Sequence, residues 1–289
     1  MTDYAELFRE LAIPRLVGTP NHQRVREILQ RELAARGFRI DAHAFAGRPA
    51  RTLLGTPRVV QGVNLIAQRG NERPAVWLVA HYDSKGQPIS MAVRLLGFAS
   101  LLLGLLVVFL WPVGGVAFLL AGVAIALLNR VNDNSPGALD NATALVAIFM
   151  AIDQLGPQAP VGIVFSDAEE YGLVGARALA AERAALFVEA AVINLDSLDD
   201  SGRPTAFLHR AGSTSGAIAA ALTARQWRWL PVIVDGIALA RVSRECVSIL
   251  KGNWRTMWVV HRPGDTIGRV RLDGAALVAA GLARVLRAV

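Results

Sequence analysis

Pro74-Ala75-Val76-Trp77-Leu78-Val79-Ala80-His81-Tyr82-Asp83 is the stretch that decides the fold. The apolar run Ala75 to Ala80 stops abruptly at His81, and Asp83 follows two residues later. Bounded by a proline and a polar cluster, the run reads as a buried strand. In an open α/β sheet, ligands bind outside the carboxyl ends of the strands, and His81 stands at such an end. A neutral imidazole there can bind a metal through one nitrogen while a nearby carboxylate such as Asp83 accepts the other N–H and fixes the tautomer. One His-x-Asp pair is a weak signal. Its weight comes from recurrence along the chain.

Upstream, residues 22–36 read as a helix with Val25, Ile28, Leu29 and Leu33 at helical spacing and Gly37 as its C-cap. Phe38 to Phe45 alternates like a strand, residues 47–58 read as loop, and Gly62 to Ala67 is a further strand. Downstream, a helix from Ala142 to Gln154 precedes an apolar strand, Val161 to Ser166, which leads into Asp167-Ala168-Glu169-Glu170. A helix from Val174 to Ala185 follows, then a strand from Ala190 to Leu195 ending at Asp196. Thr205 to Leu208 is a short strand and Gly216 to Arg225 a helix. Met257 to Val260 reads as a strand ending at His261, and a helix from Asp273 to Arg287 closes the chain. Strands alternating with helices predict an α/β fold with a mostly parallel sheet covered on both faces.

Hydrophobic residues make up 53% of the 289, and the excess sits at residues 95–129, which hold no charged side chain. As one helix those 35 residues would run about 52 Å, well beyond a hydrocarbon core of about 30 Å. Trp111-Pro112-Val113-Gly114-Gly115 breaks the run. Two apolar helices of about 16–17 residues result, read as a transmembrane helical hairpin spanning 92–129. The chain on either side, 1–91 and 130–289, then forms one discontinuous domain. Arg94 and Arg130 flank the hairpin and its turn carries no positive charge, which orients the domain to the cytoplasm, with the lipid bilayer as partner. Met1 to Glu10 has no apolar core of a signal peptide. The single cysteine, Cys246, excludes an intrachain disulfide and suits a reducing compartment. The net charge of +7 is scattered, so no nucleic-acid stripe is present.

His81, the Glu169-Glu170 pair, Asp196 and His261 all follow predicted strands, and Asp140 opens a helix. Two histidines with carboxylates suit zinc or a similar divalent ion. A carboxylate shared between two ions holds a pair about 3.5–4 Å apart, and Asp140, in a loop, is the candidate bridge. Of the adjacent glutamates, one can bind metal while the other acts as general base on the attacking water.

These segments together resemble the family of zinc aminopeptidases with a co-catalytic metal pair, of bacterial leucyl aminopeptidase type, whose relatives include glutamate carboxypeptidases and glutaminyl cyclases. The resemblance rests on His81-Tyr82-Asp83-Ser84, Ser135-Pro136-Gly137-Ala138-Leu139-Asp140-Asn141-Ala142-Thr143, Ala168-Glu169-Glu170-Tyr171-Gly172-Leu173-Val174-Gly175, Asn194-Leu195-Asp196 and His261-Arg262-Pro263-Gly264-Asp265-Thr266, with Gly18-Thr19-Pro20 near the start. It implies a mixed sheet between two helical layers and two zinc ions. His81, Asp140 and Asp196 would hold one ion, and Asp140, Glu170 and His261 the other. Glu169 would be the general base and Asp83 would orient His81. The implied activity is exopeptidase, foremost aminopeptidase, on a peptide substrate. Carboxypeptidase, amidase, cyclase-like chemistry and a non-catalytic membrane tether are the alternatives, with Arg210, Arg241, Arg244 or Arg255 as candidate carboxylate binders.

Two departures from the family pattern stand out: the inserted hairpin, and Ser243-Arg244-Glu245 where members often carry Ser-Asp-His before the last strand as a pocket lining. His22, His43 and His209 match no motif. Cys246 reads as a small buried residue, and Trp227, Trp229, Trp254 and Trp258 as core or pocket wall. Nothing in the sequence sets the oligomeric state.

Overall fold

The apolar run at residues 76–81 becomes one of eight strands in a single sheet. The computed structural model describes residues 2–50, 55–70, 73–157, 159–229 and 233–288. The strands are β1 (Arg39–Gly47), β2 (Val60–Gln68), β3 (Val76–His81), β4 (Val161–Ser166), β5 (Ala191–Leu198), β6 (Arg203–Arg210), β7 (Arg225–Trp227) and β8 (Glu245–Gly252). They lie in the order β1-β2-β4-β3-β5-β8-β6-β7. The central block β4-β3-β5-β8 is parallel, while β1-β2, β2-β4 and β6-β8 are antiparallel. The sheet is therefore mixed with a parallel centre. His81 lies in register with Ser166, so the loops after β3 and β4 leave the same edge side by side.

Strand alternation sorts the core. Val76, Leu78 and Ala80 face one layer, formed by α1 (Tyr4–Leu11), α2 (Pro20–Ala35), α5 (Thr143–Leu155), α7 (Ser213–Ala221) and α9 (Asp273–Leu286). Trp77 and Val79 face the other, under α6 (Val174–Glu182) and α8 (Gly236–Leu239). The helix at α2 starts where its residues dictate: the Thr19 hydroxyl accepts from the His22 amide and Pro20 takes the first turn. Of the expected loop at 47–58, Gly47 belongs to β1 and residues 51–54 lie outside the described residues.

Several expectations need correction. Met257 to Val260 is no strand: a 3-10 turn covers Thr256–Trp258, and His261 follows with φ +63°. Both edges of β8 are already taken, by β5 and β6, so the run behind it finds no strand to pair with. The expected strand before Asp196 extends to Leu198, placing Asp196 within β5. β8 itself, α1, α8 and β7 carried no sequence signal clear enough to be predicted. Trp227, Trp229, Trp254 and Trp258 are exposed, at 56%, 76%, 66% and 47%, not core.

Between β3 and β4, α3 (Met91–Val107) and α4 (Pro112–Leu128) pack on each other as a helical hairpin. Glycines alone are buried in it: Gly97 and Gly104 on α3, Gly114, Gly115 and Gly122 on α4. A Cβ on Gly104 would stand 2.9 Å from the Leu119 amide nitrogen, and one on Gly115 2.3 Å from the Val108 Cα, so the small residues set the close approach. Leu106, Phe109, Leu110 and Val113 near the turn are almost fully exposed. Each helix is 17 residues, about 25 Å. Among the described residues, the one helical stretch of 18 that is apolar enough to cross a membrane, Ala138–Leu155, is mostly buried in the core.

Candidate metal centre

Strands β3 and β5 and the loops at the carboxyl edge of the sheet bring together His81, Asp140, Glu170, Asp196 and His261, all buried. His81 Nε2 stands 3.1 Å from Asp140 Oδ1, and His261 Nε2 stands 2.9 Å from Asp140 Oδ2 and 3.1 Å from Glu170 Oε1. Asp140 thus presents one oxygen to each histidine. Two ligand triplets form, His81 with Asp140 and Asp196, and Asp140 with Glu170 and His261, the atoms of each within 4.8 Å of one another.

The backbone around each group is held from behind. Gly137, at φ +59°, allows the turn before Asp140, where a Cβ would meet the Asp140 carbonyl at 2.4 Å. The Asp265 carboxylate accepts the amides of Leu139 (2.7 Å) and Asp140 (3.2 Å). Asn141 donates to the Leu195 carbonyl and accepts from the Ser197 amide, tying this turn to β5. Fully buried Arg15 donates to the carbonyls of Tyr82, Pro136 and Gly137, clamping the loop after β3 to the Asp140 turn. Asp83 carries two tasks. Its carbonyl lies 3.1 Å from His81 Nδ1, while its carboxylate, 3.5 Å from that nitrogen, accepts the amides of Glu169 and Glu170, each at 3.1 Å.

Residues 64–284 match the model of peptidase family M28. The chain belongs to peptidase family M28. This is the family type to which the sequence motifs pointed. Among solved structures, the Porphyromonas gingivalis glutaminyl cyclase superposes with TM-score 0.66 at 16% identity, over 98% of this chain and 95% of that one. A leucine aminopeptidase precursor from Bacteroides thetaiotaomicron gives 0.65 at 13%, covering 98% and 94%. The Legionella pneumophila LapA aminopeptidase gives 0.62 at 12%, covering 99% and 70%. At these identities the likeness is one of fold. No curated protein matches the chain.

In this M28 chain the metal triplets fit a divalent cation on three counts. The donors are imidazole and carboxylate. His81 Nε2 and Glu170 Oε1 are buried with no hydrogen-bond partner. Acidic groups crowd the site. Burial, reinforced by Glu170, Asp235 and Asp196 and opposed by His81, pushes Glu169 well above the ordinary carboxylate range. Burial and the charge of Asp140 raise Asp196 to about 7. Burial acts against ionisation of Asp140 and Glu170 too, but there it is overridden. His261 and His81 hold Asp140 well below its usual value, and His261 with Lys85 brings Glu170 down to about 2.

A cavity of about 860 Å³ opens above these groups, reached by Asp140, Glu169, Glu170, Asp196 and His261. Its far walls are apolar: Phe207 and Leu250 from the sheet, Ile233 and Val234, and Met91, Leu95 and Phe98 from α3. Sequence reasoning missed four site residues. Buried Lys85 donates to the Glu170 carboxylate (2.9 Å) and carbonyl (3.0 Å). Arg94, on α3, reaches His261 Nδ1 at 2.8 Å. Arg15 is one. Asp235 bonds the Ser166 hydroxyl while its other oxygen is buried and unpartnered. Only Lys85, the residue after the His81-Tyr82-Asp83-Ser84 segment, sat close enough in sequence to have been suspected.

Other expectations resolve differently. Ser243, Arg244 and Glu245 lie at the opposite end of β8 from the cavity: Glu245 pairs with Ala191 at the start of β5 and accepts the Ser215 amide. Arg210, Arg241, Arg244 and Arg255 do not line the cavity. His22 bonds Asp167, His43 bonds Glu182 and His209 bonds Ser248, all structural contacts, and Cys246 is buried.

Proposed function

We propose that this M28 peptidase is a dizinc exopeptidase, foremost an aminopeptidase, that hydrolyses the terminal bond of a peptide. The observation that carries the reading is Asp140 set between two histidines, with Glu170 and Asp196 completing two ligand triplets and Glu169 buried beside them. His81, Asp140 and Asp196 would hold one ion, and Asp140, Glu170 and His261 the other; zinc suits the donors, with other divalent ions possible. Bound there, the ions supply Lewis-acid polarisation of the scissile carbonyl and acidify the attacking water.

The chain's own residues do the rest. Glu169 takes a proton from the attacking water as its oxygen bonds to the carbonyl carbon. It then delivers that proton to the nitrogen that leaves when the C–N bond breaks. Asp83 fixes where Glu169 and Glu170 point, through their amides, and Lys85 holds Glu170 from the other side. The carboxypeptidase alternative loses support because the four arginines considered for it do not line the cavity, while the cations that do are engaged: Lys85 by Glu170, Lys251 by the carbonyls of Asp199, Asp200 and Ser201, and Arg94 by Gln87 and His261.

The α3–α4 hairpin, exposed and apolar, is read as the membrane anchor, with Arg94 and Arg130 at its root and the peptidase domain on the cytoplasmic side. Detergent-purified, zinc-loaded protein should cleave aminoacyl chromogenic substrates. Glu169→Gln should lose about 10²–10⁴-fold in kcat with both metals retained. Full activity in Glu169→Gln would remove the general-base role. Activity on N-blocked peptides alone would remove the aminopeptidase one.

A further inference from the structure

The hairpin is bolted to the catalytic site. Gly86 and Asn132, on either side of it, exchange amide hydrogen bonds at 2.7 and 2.9 Å. Gln87 donates through its side chain to Asn129 at 2.6 Å and through its amide to the His261 carbonyl at 2.7 Å. Arg94, in the first turn of α3, reaches both Gln87 and His261. The peptidase domain therefore cannot swing on its anchor without moving a metal-ligand candidate. Met91, Leu95 and Phe98 of the same helix also form one wall of the cavity, although Leu95 and Phe98 are 48% and 61% exposed. The cavity mouth and the hairpin root are the same place.

The four exposed tryptophans lie on segments that supply or adjoin residues of the cavity lining. Trp258 lies in the turn that packs on α3, beside cavity residue Met257. Trp254 follows cavity residue Asn253. Trp227 pairs across β6–β7 with cavity residue Phe207, and Trp229 follows two residues on. Arg228 is exposed between the last two, and the Arg255 guanidinium lies 5.6 Å from the Trp254 ring. Exposed aromatic clusters mark interaction surfaces, and tryptophan rings with adjacent basic side chains suit the headgroup layer of a bilayer.

We infer that the rim made by α3 and these tryptophans rests in the headgroup layer, so that the cavity opens onto the bilayer surface and takes peptides whose apolar ends lie there. This rests on the peptidase and anchor readings above, and its test separates them.

The experiment uses full-length protein in vesicles of phosphatidylcholine and phosphatidylglycerol. Because Cys246 is buried, a nitroxide can be placed at a single new cysteine: Trp229→Cys, Trp254→Cys, or Gln154→Cys as reference. Gln154 is exposed near the far end of α5, about 17 Å along the helix from Thr143 beside the site. Labels at 229 and 254 should collide with lipid-enriched oxygen and be shielded from a water-soluble nickel chelate, while the label at 154 meets the chelate freely. Equal chelate access at all three positions, or failure of the protein to bind the vesicles, overturns the inference. In the second arm, Trp229→Glu with Trp254→Glu should lower kcat/KM on a vesicle-bound peptide about tenfold, equivalent to about 1.4 kcal/mol, and leave a water-soluble aminoacyl nitroanilide unchanged. Equal losses on both substrates count against it. A wild type inactive on every substrate would sink the peptidase reading, and the labels would still decide whether the rim docks.

Discussion

Lys85 and Asp83 hold the Glu169–Glu170 pair from opposite sides, one by charge on the Glu170 carboxylate and the other by accepting both backbone amides. Such outer contacts orient metal ligands, and their loss commonly costs about 10–100-fold in affinity or activity. Asp83→Asn keeps the shape but offers one good acceptor where two are needed. It should lower kcat about 10–100-fold with little change in unfolding temperature, and an unchanged kcat would mean the turn holds itself. Lys85→Met leaves the buried Glu170 carboxylate without its cation and should show a comparable loss, read by metal titration and by kcat. Asp83 was legible because it belongs to a recurring strand-end pattern. Lys85 was not, since a lone lysine in a loop carries no periodicity and its partner lies 85 residues away.

The hairpin and the turn before His261 show what elements add. With Gly97 and Gly104 facing α4, and Gly115 and Gly122 facing α3, the helix pair has room only for hydrogen at its contact. Gly104→Leu should splay it, destabilising by about 1–3 kcal/mol as a lower midpoint in thermal unfolding of detergent-solubilised protein. An unchanged midpoint would show that the helices do not rely on each other. The turn is pinned by Asp199, whose carboxylate accepts the Thr256 hydroxyl at 2.6 Å. Burial opposes ionisation of Asp199, but hydrogen bonds from Thr256 and Ser201 override it and hold the group below its ordinary value. A carboxyl depressed in the folded state adds stability that is present above its unfolded pKa of about 3.9 and is lost as pH falls through the folded value. Thr256→Val should therefore destabilise by about 1 kcal/mol at pH 7 and by less under acid, in urea unfolding at the two pH values. A deficit that stays constant into acid would break the link to Asp199. The helix pair was legible as two uncharged runs around a Pro-Gly-Gly break. The 3-10 turn was not, because four apolar residues in a row read alike as strand or turn until the neighbouring edges are known.

At the scale of the molecule, a metal held by the two triplets would stabilise the fold that assembles them. Asp140 serves both triplets, so Asp140→Asn should abolish the rise in unfolding temperature that zinc gives the wild type, a rise set by how far zinc exceeds its dissociation constant. Chelation should reverse that rise in the wild type. A zinc-dependent shift surviving in Asp140→Asn would place the ions elsewhere. The α/β class, the family, the candidate ligand residues and the apolar insertion were legible in the chain alone, because strand burial, motif spacing and absence of charge are local properties of it. Pairing between distant segments set the turn on which His261 arrives, placed Ser243-Arg244-Glu245 at the end of β8 away from the cavity, and left the four tryptophans exposed. It alone set the hairpin root against His261. These depend on which strand edge is already occupied and on which loops emerge side by side, and those relations are fixed by pairing between segments far apart in sequence.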